Sequence, residues 1–227
     1  MAPAKMSRKE LLKKPDEFLT FSAKMIIFAK EHSRELQYLG MGLLALVLLA
    51  LGINTYLNHI NKAGQETYNM AFYAFYKNAD LENNQDELGN VEELFNRVID
   101  EYDSSKAARL ALPQLAYLNF LQQQYEESIA YYRQFLDEMP DDPYQSLARM
   151  ALAVCYEEKG EFEKAIETLE YLVSGRDDFF KEQAMLSMAR IYRTMNKEEK
   201  SNEILEDFIE RFENSQFLSL AKAYLKE

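Results

Sequence analysis

Histidine and cysteine do much of the metal binding and nucleophilic chemistry of proteins, and this chain of 227 residues has two of the first and one of the second. His32 and His59 flank a long apolar run, and neither has a second ligand at metal spacing. Cys155 lies between Val154 and Tyr156 in an apolar helical stretch, where a buried, inert thiol is expected. A lone cysteine forms no intramolecular disulfide. No glycine-rich phosphate loop, GxSxG or HExxH motif occurs. The acidic pairs Glu126-Glu127, Glu157-Glu158 and Glu198-Glu199 have the residue type for acid-base work. They fall beside turns and on outer helix faces, where solvated charge is expected. Neither an enzyme nor a protein holding a metal, cofactor or small-molecule substrate is indicated.

The elements that would position any such group begin with Leu39–Leu57. No charged side chain occurs between Glu35 and Lys62, and Met41–Leu51 is almost wholly Leu, Ala and Val. A bilayer core is about 30 Å thick and is crossed by roughly 20 apolar residues in a helix, which satisfies its own backbone hydrogen bonds. Tyr38 and Tyr56 stand at the two edges, where an amphipathic ring faces both lipid and headgroup water. The competing readings are a core helix of a soluble domain and a cleaved signal peptide. Core helices are shorter and one-sided, and signal peptides rarely carry some 35 residues ahead of the apolar core. A retained transmembrane helix over 36–60 is expected.

Charge sets its direction. Of 26 basic and 38 acidic residues, eight basic and five acidic precede the span, leaving 18 against 33 beyond it, a net charge of −15. Basic residues stay on the cytoplasmic side, which places the N-terminus in the cytoplasm and residues 61–227 outside it. Residues 1–35 form a basic cytosolic tail in which Pro15 is suited to the first turn of a helix, with Asp16 and Glu17 beside it. Phe18, Phe21, Met25, Phe28, His32 and Leu36 then recur on one helical face. This helix either lies in the headgroup plane, with Lys24, Lys30 and Arg34 toward anionic lipid, or continues the span into the cytosol.

Beyond the span, apolar residues recur at intervals of three and four, as in Leu112-Leu115-Leu118 and Ile166-Leu169-Leu172, and strand-like alternation is hard to find. An all-α domain is expected. Its breakers are periodic, around Asp103-Ser104-Ser105, Pro140–Pro143, Gly160, Ser174–Asp178 and Asn214-Ser215. Three helix pairs align, at 108–140, 146–174 and 182–212. Ala116, Ala153 and Ala189 correspond, as do Ser128, Ala165 and Ser201, about 36 residues apart. Helices approach within roughly 8–10 Å only where the side chains at the crossing are small. Hairpins stacked into a solenoid are therefore expected, opposing Ala153 to Ala165.

Leu152-Ala153-x-x-Tyr156, with Gly160 at the turn and Ala165 in the second helix, resembles the tetratricopeptide repeat, as does the spacing. Pro140 stands at that family's terminal position. Departures are Ser128 and Ser201 for alanine, and Phe135, Leu172 and Phe208 where a small residue is usual. Pro113 inside a first helix should kink it or delay its start. Residues 62–103 are expected to be a divergent first hairpin with a long polar turn over Asp80–Asn90, and FLSLAKAYLKE a terminal capping helix. The resemblance implies that the first helices of successive hairpins line a concave face. That face would carry Leu110, Tyr117 and Phe120, then Leu147, Met150 and Val154, then Leu186, Arg190 and Arg193. Such a groove, apolar and ending in two arginines, suits an extended or helical peptide.

A basic tail, one span and an acidic, divergent tetratricopeptide domain resemble the ancillary subunits of the bacterial Sec translocon. The joint Tyr102-Asp103-Ser104-Ser105 with Ala107-Ala108 is similar to one in envelope proteins such as the outer-membrane assembly lipoproteins and the Tol-associated cell-division coordinator. The resemblance implies a periplasmic scaffold anchored in the inner membrane, contacting lipid through its span. Its partners would be proteins, namely the translocon, a membrane-anchored chaperone or envelope proteins. A structural subunit or assembly factor of an envelope complex is the alternative. Net negative charge repels nucleic acid, which is not expected as a partner.

Overall fold

The structure, a computed structural model, describes residues 17–77, 85–139, 143–175 and 178–226. Among them it has ten helices and no strand: α1 (Glu17–Glu31), α2 (Ser33–Lys77), α3 (Gln85–Glu101), α4 (Lys106–Leu121), α5 (Tyr125–Glu138), α6 (Gln145–Glu158), α7 (Phe162–Val173), α8 (Asp178–Thr194), α9 (Glu198–Arg211) and α10 (Leu218–Lys226). The expected helix start at Pro15, the basic residues 1–14 and the terminal Pro140 lie outside the described residues. The long turn expected over Asp80–Asn90 is corrected in part, because α3 already begins at Gln85. Asp86 and Glu87 in its first turn favour a helix N-terminus.

Two units are distinguished, with the division between Tyr56 and Leu57. In the first, the His32 amide donates to the Phe28 carbonyl (3.0 Å) and the Leu36 amide to the His32 carbonyl (2.9 Å). Both are bonds of the α type, made at His32, which stands between the end of α1 and the start of α2. α2 is long and apolar enough to cross a membrane, and none of its most apolar window is buried. Large apolar side chains from Leu39 to Tyr56 are 45–68% exposed. A core helix has a buried apolar face, and the apolar window of this one is not buried.

In the second unit α2 from Leu57 onward pairs with α3, followed by the hairpins α4/α5, α6/α7 and α8/α9 and by α10. The six aligned small residues are buried: Ala116, Ala153 and Ala189 on the first helices, Ser128, Ala165 and Ser201 on the second. Phe135, Leu172 and Phe208 are buried too, filling the space between hairpins. The Ser128 hydroxyl donates to the Ala116 carbonyl (2.7 Å) and lies 3.1 Å from Cys155 Sγ. Burial pushes the Cys155 thiol up, which disfavours the thiolate. Pro113 does not delay α4, which starts at Lys106. Ser105 caps that helix, its hydroxyl accepting from the Ala108 amide at 3.0 Å. Gly64 of α2 stands against this cap, and a Cβ there would come within 2.8 Å of Ser105 Oγ.

The three hairpin turns share a geometry that the residue types do not. Gln123, Gly160 and Asn196 each take positive φ (62°, 79° and 57°), and each donates its amide to the carbonyl three residues back. Glycine adopts this conformation freely, asparagine tolerates it and glutamine does so at a cost. Gln123→Gly is therefore expected to stabilise the protein by about 0.5–1 kcal/mol and Gly160→Ala to destabilise it by about as much. Denaturant midpoints of the two variants check this; a shift of the same sign in both would contradict it.

Candidate protein-binding face

The residues expected to line a groove divide by position. Tyr117 of α4 and Leu147 and Val154 of α6 are exposed, at 38%, 57% and 38%. Leu110, Phe120 and Met150 are half-buried and pack on the central core, and Phe120 also lies 5.7 Å from the ring of Tyr125. Leu186 is buried among Met185, Phe208 and Ala221 in the core of the last hairpin. Arg190 makes a two-pronged ion pair with Glu157 of α6, one contact at 2.8 Å, which raises its pKa further. Glu157 therefore departs from the expectation of a solvated outer-face charge. Its side chain is only 15% exposed, between two first helices. Arg193 donates to the Tyr224 carbonyl of α10.

The structure adds residues that periodicity in the clear repeats did not indicate. On α2, Tyr68, Phe72 and Phe75 form a ladder with ring centroids 6.0 and 6.3 Å apart, and Phe75 meets Tyr117 of α4 at 6.0 Å, edge to face. Tyr68 is hydrogen-bonded to Gln114 of α4 and close to Tyr144, just ahead of α6. Burial, with Tyr144 adding to it, raises the pKa of its phenol. Aromatic residues of α2 and α4, with Tyr144 ahead of α6, thus share one face. The signal was present as the spacing Tyr68, Phe72, Phe75 at i, i+4 and i+7.

The opposite layer differs. Among the described residues of α3, α5, α7 and α9, Tyr171 is the one large apolar side chain left exposed, and the Arg149 guanidinium covers its ring at 3.7 Å. Ion pairs join successive hairpins there, Lys159–Glu126 at 3.1 Å and Lys197–Glu163 at 3.6 Å. Lys159 holds the Glu126 carboxyl below the usual carboxylate range. Among the described residues no three His, Cys, Asp or Glu side chains gather as metal ligands would. The chemistry on offer is contact: rings, aliphatic side chains and a fixed arginine–glutamate pair.

Comparison with known proteins agrees with the repeat. The family model described as a tetratricopeptide repeat-like domain matches residues 33–185, and that of the tetratricopeptide repeat matches residues 183–215. No curated protein matches the chain. Among solved structures, a Podosopora anserina protein of nearly identical tetratricopeptide-like repeats is similar with a TM-score of 0.55 and 15% identity. The match covers 74% of this chain and 84% of that one. A tetratricopeptide repeat protein from Parabacteroides merdae gives a TM-score of 0.56 at 18% identity, over 71% of this chain and 59% of its own. Folds of this kind typically serve as scaffolds for protein interaction. By the match over residues 33–185 the chain belongs to the tetratricopeptide repeat-like family.

Proposed function

We propose that this protein is a membrane-anchored scaffold that binds partner or client polypeptides on the face made by its first helices. The carrying observation is asymmetry. Exposed aromatic and aliphatic side chains of the repeats gather on α2, α4 and α6, while the second helices expose one, already covered by an arginine. Leaving such side chains in water is unfavourable by roughly 25 cal/mol per Å² of apolar surface, which a bound segment relieves. The apolar part of α2 is the anchor, and the family match runs through it into the repeats. The charge imbalance favours a cytoplasmic N-terminus and a periplasmic repeat unit. With the layout, it supports a place beside the Sec translocon.

Tyr117→Ala/Leu147→Ala/Val154→Ala is expected to keep its helical signal and most of its melting temperature while losing tenfold or more of photo-crosslinked partner. Interface anchors often contribute about 2 kcal/mol each. Phe120→Ala should instead lower stability, since that ring packs on the core. Partner capture at the wild-type level by the well-folded triple variant would sink this reading. A single stoichiometric partner would identify a structural subunit rather than a client holder. Alkaline phosphatase fused after Glu227 should be active; inactivity there, with an active cytosolic reporter, would overturn the orientation.

A further inference from the structure

The last hairpin and α10 form an open cavity of about 140 Å³ lined by Ala189, Arg190, Arg193, Ser201 and Tyr224. Ser201 is 1% exposed, and its hydroxyl has no hydrogen-bond partner. The equivalent residues of the other clear hairpins show how unusual that is. Ser128 spends its hydroxyl on the Ala116 carbonyl, beside Cys155. Ala165 has no hydroxyl to satisfy and is buried as well. Ser201 thus keeps a polar group where alanine fits and where no protein atom answers it. A buried hydroxyl left unpaired is unfavourable, so such an atom points to a ligand.

We propose that this cavity binds a small oxyanion, with Ser201 donating its hydroxyl hydrogen and Arg190 and Arg193, which line the cavity, adding N–H donors. Both arginines are held in advance, Arg190 by Glu157 and Arg193 by the Tyr224 carbonyl. Donors fixed before binding lose little freedom when an anion arrives. Inorganic phosphate is an ion of this class, as is the carboxylate end of an acidic side chain on a bound polypeptide. The site does not depend on the first-helix face being a binding surface.

The full chain in a non-ionic detergent is titrated with inorganic phosphate and, separately, N-acetylglutamate, against chloride at matched ionic strength. A ligand of the folded state alone raises the melting temperature with concentration. The expected result is a saturable rise with at least one anion that chloride does not give. It should weaken tenfold or more in apparent affinity in Ser201→Ala and in Arg193→Gln, and be unchanged in Ser128→Ala. The middle hairpin natively carries alanine at the equivalent position, Ala165, so Ser201→Ala should fold. A response to phosphate alone identifies the free ion, and one to N-acetylglutamate identifies an acidic side chain. No rise above chloride, or the same rise in Ser201→Ala and Arg193→Gln, overturns the proposal. Partner capture is not the readout, so either of those results leaves the first-helix reading untouched.

Discussion

Phe95→Ala is expected to destabilise the repeat unit by about 3–5 kcal/mol, as much as a substitution in the clear repeats. Phe95 is fully buried on α3, between the rings of Tyr68 (5.7 Å) and Phe75 (6.4 Å) of α2. Leu88, Val91 and Val98 bury the same face of α3, and Ala107, Ala111 and Leu115 of α4 meet it from the next hairpin. Removing the ring leaves a cavity that large, interlocked neighbours cannot close. In a solenoid stability is nearly a sum over units and their interfaces, so the loss should show first as faster amide exchange in α2 beyond Leu57 and in α3. Tyr73→Ala, at a position 68% exposed on α2, should shift stability by no more than about 0.5 kcal/mol. Equal, small losses in both would mean that residues 57–101 are not part of the packed array.

The second large effect tests the register. Ala165 is fully buried and Ala153 nearly so, both in the central core. Ala165→Leu adds three carbons at a fully buried position, and the main chain must move apart or the side chain leave its rotamer. A loss of about 1–3 kcal/mol is expected. Glu163→Leu adds comparable apolar bulk at an exposed site and breaks only the 3.6 Å pair with Lys197, which contributes little at the surface. Its effect should stay within about 0.5 kcal/mol. Chemical denaturation of the two variants side by side reads the difference, and equal losses would show that Ala165 does not face its partner helix.

How far such positions could be read in advance differed along the chain. The small residues at 116, 128, 153, 165, 189 and 201 announced buried positions between helices, because close approach of two helices restricts residue size strongly. The hairpin of α2 and α3 has no such pattern. Rings of Tyr68, Phe75 and Phe95 fill its interior, and many residue types can fill a wider gap. The turns also varied in legibility. Gly160 stated its left-handed backbone openly, while Gln123 takes the same geometry because the adjoining helices hold it there.

The sequence by itself determined the all-helical architecture, the repeat and an apolar helix long enough to span a bilayer. Each follows from periodicity or length, which are properties of neighbours along the chain. Only the tertiary structure decided which apolar residues are spent on the core and which remain outside. Tyr117 and Phe120 are three apart on one helix and look alike in sequence, yet the first is exposed and the second rests on Tyr125 and the core. Leu147 and Leu186 divide the same way, one open and one buried beneath α10. The pairing of Glu157 with Arg190 likewise joins residues distant in the chain. Periodicity tells a residue which side of its own helix it occupies; what stands opposite depends on the path of every other helix.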